Sequence, residues 1–114
     1  MAHAACTTAL DIGADAILSV SQRGITAQMV SRFRPPVDIL GTTTYLKAWY
    51  KLSLSWGVTP ILVEEFNSMD VMFYKAVEAA KSVLNLNPGD HVVMTGGPIN
   101  GKRGNTNTIK VEQI

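Results

Sequence analysis

The chain has 114 residues, 46% of them hydrophobic, with ten Lys and Arg against nine Asp and Glu and a single cysteine. That length suits one domain with one core, and the near balance of charge excludes a global field that would gather nucleic acid or a membrane surface. Lone Cys6 excludes an internal disulfide framework and fits a reducing, cytoplasmic setting, while no apolar run approaches the ~20 residues of a membrane span or follows Met1 as a secretion signal would.

Ala4, Ala5, Thr8, Ala9 and Ile12 recur at helical spacing, predicting a first helix over residues 1–13 with Gly13 as its left-handed stop. Residues 14–20 are short, apolar and flanked by polar residues, as in a buried strand. After a loop at 21–24, a second helix is expected over 25–34, burying Ile25, Met29, Val30 and Phe33. Arg32 and Arg34 suit the negative end of its dipole, and Pro35-Pro36 stops it. Residues 37–40 give a second strand. Thr42, Thr43 and Thr44 offer N-caps to a third helix reaching residue 55, which Gly57 closes. Ile61-Leu62-Val63 makes a third strand, put at or near a sheet edge by Pro60. Ser68 is positioned to cap the longest helix, whose apolar stripe is Met72, Phe73, Ala76, Val77, Ala80 and Leu84. Asn87-Pro88-Gly89-Asp90 turns into a fourth strand at 91–94, and a Gly-rich stretch over 96–104 leads to a final strand at about 108–111.

Strands alternating with helices predict βαβ units and a mostly parallel sheet. The last strand, reached without a helix, joins antiparallel. In such sheets ligands gather at the carboxyl ends of the strands, near the point where strand order reverses. Three polar loops leave such ends: residues 21–24, 41–44 and 95–107. The first enters a helix directly, so the N–H groups of Gly24, Ile25 and Thr26 make an anion site, joined by the hydroxyls of Ser21 and Thr26 and the charge of Arg23. The Gly-rich loop carries Lys102 and Arg103, placed to close over a phosphate. Both loops point to a phosphorylated small molecule. The glycines of the second, Gly96, Gly97, Gly101 and Gly104, match neither G-x-G-x-x-G nor a Walker A run.

Six runs in order along the chain are more specific. They are Asp11-Ile12-Gly13-Ala14-Asp15-Ala16-Ile17, residues 21–27, Val30-Ser31-Arg32-Phe33-Arg34-Pro35, Trp56-Gly57-Val58 with Pro60, Gly89-Asp90-His91-Val92-Val93, and Gly104-Asn105-Thr106-Asn107-Thr108-Ile109-Lys110-Val111. They resemble the D-[LI]-G-A-K-A-I, T-x-S-G-R-[ST]-A, V-S-[KR]-[YF]-R-P, W-G-V-x-P, G-D-x-V-V and G-T-T-N-T-I-K-V runs of the C-terminal regulatory domain of pyruvate kinase. The resemblance implies a three-layer α/β/α domain spanning residues 1–114, with a five-stranded sheet of order 3-2-1-4-5 and strand five antiparallel. It implies no catalysis and no cofactor in this chain, because the family's phosphoryl-transfer residues, with Mg²⁺ and K⁺, belong to a preceding TIM barrel absent here. It implies an allosteric site for fructose bisphosphate, another sugar phosphate or AMP, and a subunit interface, in an enzyme of glycolysis. By position, the phosphate loop is Ser21, Gln22, Arg23, Gly24 and Thr26, and the closing loop is Gly101, Lys102, Arg103 and Gly104. Two positions depart from the pattern: Arg23 stands where the family has Ser, and Ile25 where it has Arg. The change moves a cation, disfavours a bisphosphate, and leaves a monophosphate effector or none.

The alternative is a free-standing phosphometabolite-binding protein of the same fold. A phosphorelay receiver is excluded, since strand one ends at Ser21 where that chemistry needs paired Asp residues. The chain opens directly on its first helix, as a cut through a linker would, and Met1 reads equally as a native or an added start. His3 and His91 lie far apart without metal-ligand spacing, and Cys6 suits a small core position. Glu64-Glu65 reads as a solvated turn, because neighbours on a strand end point to opposite faces, and Trp49 and Trp56 read as packing residues. In the last strand Ile109 and Val111 alternate with Lys110 and Glu112, which suits an edge pairing two-fold with a second copy.

Overall fold

The computed structural model describes residues 2–20, 25–63, 69–96 and 108–114. Its elements in chain order are α1 (Ala2–Ile12), β1 (Ala16–Val20), α2 (Ile25–Arg32), β2 (Asp38–Thr43), α3 (Leu46–Ser53), β3 (Val58–Leu62), α4 (Met69–Val83), β4 (His91–Gly96) and β5 (Thr108–Gln113). They build one five-stranded sheet of order β3-β2-β1-β4-β5, parallel except for the antiparallel β4–β5 pair. This is the order and polarity expected. Pro60 sits inside β3, where the edge position leaves its missing N–H without a ladder partner to serve.

β1 is buried along its whole length, as a strand covered on both faces must be. Its alternate side chains divide the core in two. Ala16, Leu18 and Val20, with Leu40, Val92 and Met94 of the neighbouring strands, pack against Met72, Phe73, Ala76, Val77 and Ala80 of α4. Ile17, with Ile39 and Val93, packs against Ala5, Cys6 and Ala9 of α1 and Val30 of α2. Helices therefore cover both faces, giving three layers. The α4 stripe is the one predicted, with Leu84 partly buried against it.

The ends of the elements have local causes. Gly13, at φ 65, closes α1 through N–H bonds from Gly13 to Leu10 and from Ala14 to Ala9, the paired bonds of a left-handed helix stop. The Asp90 carboxylate accepts the Asn87 N–H at 2.8 Å in the turn before β4. Asp15 ties the starts of β1 and β4 together: its N–H donates to the His91 carbonyl at 2.8 Å, and its carboxylate accepts the His91 N–H at 3.1 Å.

Several expectations need correction. Val30 of α2 is buried as expected, but Met29 and, just past the helix end, Phe33 are 46% and 52% exposed, while Ala27 and Ser31 are buried with Val30. The helix packs so near β2 that the small side chains must face inward. Thr42 and Thr43 belong to β2 and are buried, and the N-cap of α3 is Tyr45, without a side-chain capping bond. β2, β4 and β5 each run beyond the predicted ends, because ladder pairing continues through the polar residues Thr42, Thr43, Thr95, Glu112 and Gln113. α2 stops at Arg32, two residues early. Trp56, read as a packing residue, packs under the Arg34 guanidinium and is 46% exposed. Ser68 and the pair Glu64-Glu65 lie outside the described residues.

Candidate functional site

The connection β1–α2–β2 places β2 on one side of β1, whereas the chain later returns by α4 to place β4 on the other. Strand order therefore reverses between β1 and β4. Their carboxyl ends, Val20 and Gly96, are register partners and mark the crevice where open α/β sheets take ligands. The two loops predicted to hold a phosphate leave from those two residues. Ser21, Gln22, Arg23, Gly24, Gly101, Lys102, Arg103 and Gly104 themselves lie outside the described residues.

Of the predicted site, Thr26 is described. It stands in the first turn of α2, 5% exposed. The first turn is held against the sheet by a close backbone approach: Ala27 lies over Gly41 in the middle of β2, with the Leu52 and Val58 side chains beside it. Glycine at 41 lets the helix sit this low, which sets its first turn, the positive end of its dipole, at the carboxyl edge.

Around that edge lies a band of hydroxyls: the sequence reading put Thr42, Thr43 and Thr95 in loops there, whereas they belong to strands, and it did not single out Ser19. Ser19 and Thr95 are register partners on β1 and β4, both fully buried. Neither hydroxyl has a hydrogen-bond partner among the described residues. By the alternation of a strand they share the face of Ile17 and Val93, the side that α1 and α2 cover. On β2 the Thr42 hydroxyl reaches the Ser19 carbonyl at 3.5 Å, and the Thr43 hydroxyl accepts the Tyr45 N–H at 3.2 Å. Of the buried polar residues described, Ser31 alone stands away from this end of the sheet. A signal existed in the sequence: in β1 and β4 an apolar run is broken by a Ser or Thr near the carboxyl end, as in Ala16-Ile17-Leu18-Ser19-Val20 and Val92-Val93-Met94-Thr95.

Among the described residues the chemistry available there is that of neutral hydroxyls. No group of three or more His, Cys, Asp or Glu residues is placed to hold a metal ion among the described residues. Burial pushes the Cys6 thiol upward in pKa, so that it stays protonated and unreactive in the core under α1. His3 and His91 are both exposed, and the ring of His3 stacks on Phe33 at 5.2 Å. No helix among the described residues is long and apolar enough to cross a membrane.

Comparison with known proteins agrees with this architecture. The family model described as "Pyruvate kinase, alpha/beta domain" matches residues 1–112. The chain is 37% identical over 109 residues to a pyruvate kinase of Clostridium acetobutylicum, covering 96% of this chain and 23% of that protein. It is 41% identical over 103 residues to pyruvate kinase 2 of Synechocystis sp., covering 90% of this chain and 17% of the relative. A pyruvate kinase of Sporosarcina psychrophila is 33% identical over 112 residues, covering 98% of this chain and 19% of the relative. The chain thus spans about a fifth of the length of the curated relatives it matches. By family match and identity together, it belongs to the pyruvate kinase alpha/beta domain family.

Proposed function

We propose that this chain is the effector-binding and subunit-assembling part of a pyruvate kinase, and that phosphoryl transfer, with its Mg²⁺ and K⁺, belongs to the remainder of the enzyme in the cytoplasm. The effector is a small phosphate monoester, such as a sugar phosphate or a nucleoside monophosphate. Ser21, Gln22, Arg23, Gly24 and Thr26 hold the phosphate, and Gly101, Lys102, Arg103 and Gly104 close over it. The observation that carries this reading is the start of α2, with Thr26 in its first turn, seated at the strand-order reversal between β1 and β4. Amide N–H groups and the positive end of the helix dipole favour an anion there. Placing the cation at Arg23, with Ile25 following the glycine, matches one phosphate better than two.

A thermal-shift series over sugar phosphates and nucleoside monophosphates tests the proposal. An effector at about 100 times its dissociation constant stabilises the fold by roughly 2.7 kcal/mol, a clear rise in melting temperature for a domain of this size. Thr26→Ala and Arg23→Ala should each reduce that rise, the latter more at low salt. A flat response to every compound counts against the reading.

A further inference from the structure

At the end of α2 opposite Thr26, an open cleft of about 450 Å³ is lined by Gln28, Ser31, Arg32, Arg34, Ser55 and Trp56. It lies where the C-terminus of α2 meets the turn after α3, and the Ser31 hydroxyl joins the two by donating to the Trp56 carbonyl at 2.6 Å. Cations beside helix C-termini commonly serve the unpaired carbonyls there. Here N–H groups already reach them. The Val30 and Ser31 carbonyls accept from Phe33 and Arg34 at 3.1 and 3.0 Å, and those of Lys51 and Leu52 accept from Leu54 and Ser55 at 3.2 and 3.0 Å. Neither arginine has a carboxylate partner among the described residues, whose ion pair joins Lys81 to Glu78 on α4.

Arg34 also occupies φ 46, a helix-stop conformation that glycine adopts with least strain. Its guanidinium carbon stands 5.8 Å from the centre of the Trp56 ring. Stacking on an indole orients the flat cation and leaves its N–H edges open to an acceptor. Among the described residues the cleft thus has two guanidinium groups without ion-pair partners, one of them oriented, beside the Gln28 amide, and no acidic side chain lines it.

We propose that this cleft binds the oxyanion group, carboxylate or phosphate, of a small metabolite, gripped by Arg34 and Arg32 with Gln28 as a further donor. It is a separate site from the effector edge, since the eight residues of α2 put about 12 Å between the two ends of the helix.

The test titrates the 114-residue chain with inorganic phosphate and, in parallel, with succinate, at constant ionic strength, following the NMR shift of the Trp56 indole N–H. A saturable shift is expected in at least one series; saturation by phosphate alone assigns a phosphate ligand, and by succinate alone a carboxylate. Arg34→Gly suits the backbone, so melting should be preserved while affinity falls by about tenfold or more. Arg34→Lys, which keeps the charge but loses the fork, should fall between. If Arg34→Gly fails to fold, Arg32→Ala at the exposed end of α2 serves as the affinity variant. Thr26→Ala, at the other end of the helix, should leave this titration unchanged even if it abolishes effector binding. No saturable shift with either anion, an unchanged affinity in the arginine variants, or a loss in Thr26→Ala overturns the proposal.

Discussion

A methyl group built onto Gly41 would stand 2.8 Å from the Ala27 Cβ, nearer than two such carbons pack, with Leu52 Cδ1 and Val58 Cγ1 each at 3.3 Å. The contact is between a helix side chain and a strand backbone, so neither side has a flexible end that could swing away. Gly41→Ala should therefore destabilise the fold by about 1–3 kcal/mol, read as a lower urea midpoint at unchanged slope. Ala27→Gly costs about 1 kcal/mol alone, yet the double variant should be more stable than the sum of the two predicts. Strict additivity would place the strain elsewhere.

Ser19→Ala and Thr95→Val each remove a fully buried hydroxyl that lacks a partner among the described residues. Unpaired hydroxyls cost desolvation without returning a bond. Each variant should be neutral or stabilising by up to about 2 kcal/mol in the ligand-free chain. A clear loss of stability on denaturant unfolding would mean that the hydroxyls are bonded in solution.

The Cys6 thiol, raised by burial above its ordinary value of 9.0, links stability to alkaline pH. A raised folded pKa means that the unfolded chain releases its proton first. Stability is thus untouched below the ordinary value and declines as pH rises from there through the folded one. Cys6→Ala should flatten that part of the pH profile, and native wild-type chain should react with a thiol reagent far more slowly than unfolded chain. Equal labelling rates at neutral pH would show that the thiol is not protected.

β5 lies at the edge of the sheet and pairs with β4 on one side. Its Val111 is 46% exposed, beside exposed Lys110. Pairing with a second copy is the expected use of this edge, and sedimentation at micromolar concentration should show a dimer. Val111→Glu, an exposed change, should shift the population toward monomer with little effect on melting. A wild-type monomer, or a dimer indifferent to Val111→Glu, removes this interface.

By itself the amino-acid sequence determined the element order, the parallel sheet with its antiparallel last strand, and the α4 stripe. Hydrophobic period, Gly13, Gly57 and the Pro35-Pro36 stop are local signals, and local signals are legible in one dimension. It also carried the family, because short runs in fixed order need no geometry to be compared. Which face of α2 turns inward was a tertiary decision. Met29 and Phe33 are the more apolar choices, but the close approach over Gly41 puts Ala27 against the strand and turns its face inward with Val30, so backbone distance overrode hydrophobicity at those two positions. The pairing of Ser19 with Thr95 was likewise invisible, since residues 76 positions apart meet only through strand order. Arg34 and Trp56 read separately as a helix-end cation and a packing residue; the fold alone brings the guanidinium over the ring.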